Sequence, residues 1–202
     1  PSPTYDRCVL VLIDALRYDF VFSMPFVKYH TDHLYLARAT TPTVTLPRLK
    51  ALTRGVPPKF SDLLFNFAAE KSVSDDDIVS SFKSTSSLNR ILLLGDDTWK
   101  KMYPSNTFLN RSDFTKSFFT KDITEVDSNV SRHIDSTFDP TMKHPHSSDW
   151  DVAILHYLGL DHVGHQLGPS HPIMSRKLDE MGHTFHRIYD NLLSQDRISG
   201  KR

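Results

Sequence analysis

The sequence predicts an α/β fold with a mostly parallel central sheet covered by helices on both faces. Three observations carry that expectation. Cys8-Val-Leu-Val-Leu-Ile13, Arg90-Ile-Leu-Leu-Leu94 and Asp151-Val-Ala-Ile-Leu155 are near-continuous apolar runs, the pattern of strands buried on both faces. Segments of helical spacing alternate with them, as in layered α/β domains. Each run leads into an acidic or His-rich cluster: Asp14, Asp96-Asp97, and Asp161 with His165. Ligands of parallel sheets sit in the crevice beyond the carboxyl ends of the strands, so that coincidence is the first functional clue.

The first run ends in Asp14, and Ala15-Leu16-Arg17-Tyr18 starts a helix or loop. Leu34-Tyr-Leu-Ala-Arg-Ala39 alternates and predicts a neighbouring strand, whereas Thr40-Thr-Pro-Thr-Val-Thr45 is too rich in Thr and Pro for a regular element. A helical pattern begins at Leu46-Pro47, with Leu46, Leu49 and Leu52 three apart, and stops near Gly55. Phe60 to Lys71 is a second amphipathic helix candidate, and Ile78 to Phe82 a short helix. Tyr103 to Phe119 reads as loop with scattered aromatics. Val126, Val130 and Ile134 predict one helix from Val126 to Phe138, capped by Asp127 or Ser128. Asp139 to Ser148 is loop, and Ile173 to Leu193 a long last helix.

Composition narrows the function classes. The chain has 202 residues, and 24 Lys+Arg balance 24 Asp+Glu, which excludes a strongly basic nucleic-acid binder and an acidic tail. Aromatics at 11% support a packed interior. Cys8 is the single cysteine, so no intrachain disulfide framework exists. Its longest apolar run, Cys8 to Ile13, is far short of the ~20 residues of a membrane span. Pro1-Ser2-Pro3 and Ser199-Gly200-Lys201-Arg202 read as the ends of a cut-out, with any targeting segment outside it.

Asp161-His162-Val163-Gly164-His165 is the sharpest chemical signal. It gathers oxygen and nitrogen donors of the kind zinc takes, and Asp161 and His165, four apart, share one side of a helical turn. Gly164 removes bulk between them. His144, His146, His171, His183 and His186 lack such placement and read as surface or satisfied helix positions. Thr45 lies at the start of the Leu46 helix, with Pro47 in its first turn. A hydroxyl there meets an anion site made by free N–H groups and the helix dipole. The plainer reading is that Thr43 or Thr45 caps the helix. An Asp at a strand end such as Asp14 more often forms a turn, and its weight comes from its company. Asp96 and Asp97 either meet a substrate ammonium or hydroxyl, or cap the turn before Trp99. Arg17 and Lys50 default to solvated surface.

Taken together, Val-Leu-Ile-Asp14-Ala-Leu-Arg, Pro42-Thr-Val-Thr45-Leu-Pro-Arg-Leu-Lys-Ala-Leu-Thr-Arg-Gly55 and His156-Tyr-Leu-Gly-Leu-Asp161-His162-Val-Gly-His165 resemble the alkaline phosphatase superfamily. Leu94-Gly-Asp-Asp-Thr-Trp99-Lys-Lys-Met-Tyr-Pro104, Glu125-Val-Asp-Ser-Asn-Val-Ser-Arg-His133 and Gly168-Pro-Ser-His-Pro resemble its GPI ethanolamine phosphate transferases, in particular the branch that modifies the second mannose. The resemblance covers nearly all of the chain. It implies an alkaline-phosphatase-like α/β/α sandwich, with residues 1–202 forming part of a lumenal catalytic domain. It further implies that Asp14 binds one zinc ion, that Thr45 is the nucleophile bridging a zinc pair, and that Asp161 and His165 bind the other. Thr43 is the alternative nucleophile, because Thr-x-Thr leaves the match open by two residues. The implied reaction moves phosphoethanolamine from phosphatidylethanolamine to a mannose of the GPI precursor, through a phosphothreonine, in the endoplasmic reticulum lumen.

One departure from the family pattern stands out. The family's later Asp-His-Gly strand, which supplies further zinc ligands, has no counterpart after His165, nor do its membrane spans. The expectation is a C-terminally incomplete lumenal domain with weak metal binding, held to the membrane through segments absent from the chain, with room for a membrane partner subunit. Competing readings are another phosphodiesterase of the superfamily, or a catalytically silent binding module. Asn110-Arg-Ser112 and Asn129-Val-Ser131 are glycosylation sequons in keeping with a lumenal address.

Overall fold

The computed structural model describes residues 5–57, 76–116, 120–145, 147 and 149–199. The expected helix at Phe60 to Lys71 lies outside them, as does His146. Strand β1 (Cys8–Ile13) is followed by the short helices α1 (Tyr18–Val21) and α2 (Pro25–His30), then by α3 (Thr45–Arg54). Helix α4 (Ile78–Ser84) leads into β2 (Ile91–Asp96), α5 (Trp99–Met102) and β3 (Asp113–Thr115). Helices α6 (Glu125–Ser131) and α7 (Ile134–Phe138) precede β4 (Val152–Tyr157), α8 (Gly159–Leu167) and α9 (Pro172–Ser199).

All pairs in the four-stranded sheet are parallel, in the order β1-β4-β2-β3. Every residue of β2 and β4 is buried, which is why both read as unbroken apolar runs. Side chains alternate across them and feed two cores. Leu92, Leu94, Ala153 and Leu155 pack with Val130, Phe138, Leu160 and Leu178, under α6 to α9. Ile91, Leu93, Val152 and Ile154 pack with Leu49, Val79 and Trp99, under α3, α4 and α5. The two-sided cover that the sequence predicts is therefore present. Asp151 ties the strand entries together: it accepts the Arg90 backbone N–H at 2.9 Å and the Arg90 guanidinium at 2.6 Å.

Several elements differ from the sequence expectation. Leu34 to Ala39 forms no strand; Tyr35 is 81% exposed, and without a pairing partner a short alternating run has nothing to hold it. Inside the expected loop, residues 113–115 join the sheet as β3, too short to leave a pattern. The single helix expected from Val126 to Phe138 breaks into α6 and α7, where the His133 N–H turns back to Val130 O and the His133 ring meets Asp113 at 2.9 Å. Asp127 lies within α6 rather than capping it, and its carboxylate serves another helix. Helix α3 ends as expected at Gly55, whose φ of 67° and N–H bond to Ala51 O make a left-handed stop.

Gly95 (φ 130°) lies opposite His156 in the β2–β4 register. A Cβ there would fall 2.1 Å from the His156 carbonyl oxygen. Gly95→Ala must push two buried strands apart and take a conformation L residues avoid. The expected cost is about 3 kcal/mol or more, read from the midpoint of urea unfolding.

Candidate functional site

The strand order brings three polar residues to one rim. Asp14 follows β1, His156 is near the end of β4, and Asp96 closes β2, so β1-β4-β2 sets them side by side. The Asp14 N–H continues the ladder to Tyr157 O at 2.9 Å. The chain then turns through Ala15 at φ 58°, a left-handed conformation that costs an alanine about 1 kcal/mol. That turn lets the Ala15 N–H donate to Asp14 Oδ1 at 2.9 Å.

Thr45 opens α3, and the residue before it, Val44, offers no capping side chain. The Thr45 hydroxyl is not spent on capping. It donates instead to Asp14 Oδ2 at 3.1 Å. Thr43 is exposed to solvent. Burial works to raise the Asp14 proton affinity, but the neighbouring His156 ring and the Thr45 and Ala15 hydrogen bonds outweigh it and hold the carboxyl below its ordinary range. An ionised oxygen beside the Thr45 hydroxyl is therefore the resting state of the pair.

Asp161 stands in the first turn of α8, and its Oδ1 lies 3.4 Å from His165 Nε2. Burial raises the Asp161 proton affinity, the Asp14 charge adds to it, and His165 and His162 oppose it. The two carboxylates are thus near enough to feel one another. His162 is buried and turns away, its Nδ1 2.5 Å from the Asp122 carbonyl oxygen. A methyl group at Gly164 would meet nothing within 4 Å, so the meeting of Asp161 and His165 does not depend on a missing side chain there. Asp127 fixes the start of α8. Its Oδ1 accepts the Leu158 and Gly159 N–H groups at 3.0 and 2.9 Å, while Lys177 of α9 balances its charge at 3.1 Å. A Cβ at Gly159 would lie 2.0 Å from Asp127 Oδ2, so that capping contact requires glycine.

Asp96 is fully buried. Its Oδ1 accepts the Thr98 N–H at 2.8 Å, and its Oδ2 has no hydrogen-bond partner, 3.8 Å from His156 Nδ1. The Asp97 N–H bonds Thr115 O. Arg17 pairs with Asp19 at the surface, and His186 with Asp190. His156 is the site residue whose role sequence reasoning missed; a histidine inside an otherwise apolar strand was its one signal.

The donor types at the rim suit zinc, but their number does not. Asp14 with Thr45, and Asp161 with His165, each offer two donors where zinc takes four. Among the described residues no group of three or more His, Cys, Asp or Glu is arranged to hold a metal ion. The residues present do not by themselves fit the zinc pair that the resemblance implies.

An all-parallel sheet under helices on both faces, with a hydroxyl–carboxylate pair beyond its carboxyl edge, defines an α/β protein compatible with the alkaline-phosphatase-like sandwich. No family model matches the chain. Curated relatives do. It is 41% identical over 207 residues to GPI ethanolamine phosphate transferase 2, catalytic subunit, of Homo sapiens, covering 98% of this chain and 20% of the human protein. It is 42% identical to GPI ethanolamine phosphate transferase 2 of Schizosaccharomyces pombe and 40% to that of Saccharomyces cerevisiae, covering 26% and 24% of those proteins. Nearly the whole chain is thus similar to one stretch of the GPI ethanolamine phosphate transferases. It spans about a fifth to a quarter of the length of these relatives. No helix among the described residues is long and apolar enough to cross a membrane.

The crowding of Asp161 by burial and by Asp14 has a measurable sign. Its ionised form is penalised in the fold, so the penalty is full at neutral pH and vanishes below the unfolded carboxyl range. Asp161→Asn is therefore expected to raise Tm at pH 7, with the gain shrinking toward zero as the pH falls through 4. A gain that grows on acidification contradicts this.

Proposed function

We propose that this chain carries the nucleophile of a phosphoethanolamine transfer site, with Thr45 as attacking group and Asp14 as its proton acceptor. The observation that supports the reading is the 3.1 Å hydrogen bond from the Thr45 hydroxyl to a carboxylate held ionised. The Thr45 proton passes to Asp14 Oδ2 as Oγ1 forms a bond to phosphorus. The bond from phosphorus to the lipid oxygen breaks, and that oxygen leaves with the proton that Asp14 has just taken. A mannose hydroxyl then attacks the phosphothreonine and gives its proton to Asp14, the bond from phosphorus to Thr45 breaks, and Asp14 passes that proton to Oγ1. The first turn of α3 favours the phosphate through its opening N–H groups.

The names of the relatives support a GPI-precursor acceptor. We propose phosphatidylethanolamine as donor, the second mannose as acceptor sugar, and the lumenal face of the endoplasmic reticulum membrane as the setting. The human relative is named a catalytic subunit, which supports a membrane partner subunit for the whole protein of which this chain matches a part. Asp96 is buried, so substrate contact at this rim falls to Asp97 ahead of it.

The test is transfer from 4-nitrophenyl phosphoethanolamine. The native chain is expected to release nitrophenolate and to carry a phosphoethanolamine adduct on Thr45, located by peptide mass. Thr45→Ala abolishes the adduct, while Thr43→Ala keeps it; an adduct on Thr43 reverses the assignment. We further propose that zinc binding is weak, since each donor pair is two short. Titration against a chelating indicator is expected to give readily stripped zinc, lost in His165→Ala. Two tightly held ions would refute it.

A further inference from the structure

His156 is 1% exposed and lies between Leu12 of β1 and Gly95 of β2 in register. Its two ring nitrogens meet different surroundings. Trp99 Nε1–H donates to Nδ1 at 3.0 Å. An indole nitrogen only donates, so Nδ1 presents a lone pair, and the proton of the neutral ring resides on Nε2. Nε2 is buried without a hydrogen-bond partner, 3.8 Å from Asp14 Oδ2, the same oxygen that accepts the Thr45 hydroxyl. Trp99 is itself held, because Asp96 Oδ1 takes the Thr98 N–H and fixes the turn into α5. The bare Gly95 allows the β2 and β4 backbones to approach closely at His156.

We infer that His156 is a positioning residue for the Asp14–Thr45 pair: a neutral imidazole locked by Trp99 with its proton on Nε2, which offers that N–H to Asp14 and is barred from binding a metal. Histidines that bind metals donate their other ring N–H to an acceptor. The polarity here is the reverse, since Nδ1 receives a hydrogen and Nε2 has no lone pair to give. At 3.8 Å the N–H acts on Asp14 Oδ2 as the positive end of a fixed dipole rather than as a hydrogen bond, and it favours the carboxylate orientation that accepts the Thr45 proton. The consequence for transfer rests on Thr45 as nucleophile; the tautomer stands on the geometry alone.

Two measurements test this separately. Nitrogen-15 NMR of the histidine-labelled chain is expected to find His156 Nδ1 unprotonated and Nε2 protonated, unchanged by added zinc. Trp99→Phe is expected to release the ring into a mixture of tautomers. Loss of the Nε2 proton on adding zinc, or a single unchanged tautomer in Trp99→Phe, overturns the lock. The second measurement is the Thr45 adduct rate. His156→Gln sets a side-chain N–H where Nε2 stands and is expected to stay within about threefold of native, while His156→Asn reaches only the Nδ1 position and loses about tenfold or more in kcat with KM unchanged. Equal rates in the two variants overturn the positioning role. A native chain that forms no adduct refutes Thr45 as nucleophile, and the spectra still decide the tautomer. If either His156 variant fails to fold, the adduct rate of Trp99→Phe, in which the ring is no longer held, carries the decision on positioning: a drop in kcat is expected, and an unchanged rate overturns the role.

Discussion

Parallel pairing in one register is the constraint from which the site follows. Cys8 to Ile13 run beside Val152 to Tyr157, and Ile91 to Gly95 beside Val152 to His156. Because all three strands point the same way, whatever ends one of them stands next to whatever ends its neighbour. Asp14, His156 and Asp96 therefore converge without any loop having to carry them there. The apolar faces that bury β2 and β4 fix this register, since a slip by one residue would exchange the two cores and strand the polar ends on the wrong sides.

The electrostatics of the rim divide it into two unlike halves. Asp14 is surrounded by donors: the Ala15 N–H, the Thr45 hydroxyl and, farther off, the His156 ring. These stabilise its charge despite burial. Asp161 has His165, two-thirds exposed, as its partner, and faces the charge of Asp14. A carboxylate that resists protonation thus sits near one that invites it, a common way for one fold to hold an acceptor and a donor of protons together. His156 belongs to the first half: Trp99 holds its Nδ1, and its Nε2 lies 3.8 Å from Asp14 Oδ2.

Much of this was legible in the amino-acid order, and the remainder was not for identifiable reasons. The three long strands announced themselves because burial on both faces leaves an uninterrupted apolar run. Gly55 marked the end of α3 because a left-handed stop selects glycine. Asp14, Thr45, Asp161 and His165 stood out by residue type and spacing. Residues 113–115 stayed hidden, since a three-residue strand carries no period, and Leu34 to Ala39 misled, since alternation without a partner strand is only a coincidence. The role of Asp127 was invisible because its partners, Leu158 and Gly159, are some thirty residues away. His156 was hidden by its neighbours: inside Val152–Tyr157 it looked like one polar interruption of a core strand.

The capping of α8 by Asp127 bears on where negative charge can settle. Two helices, α3 and α8, begin close to the rim, and either in principle welcomes an anion at its leading amides. In α8 two of those amides are already occupied: an internal carboxylate, balanced by Lys177, accepts the Leu158 and Gly159 N–H groups. At helix α3 the N-cap residue is Val44, which brings no polar side chain to cap it. The fold thus ties the start of α8 to an internal carboxylate, whereas at the start of α3 the Thr45 hydroxyl turns to Asp14.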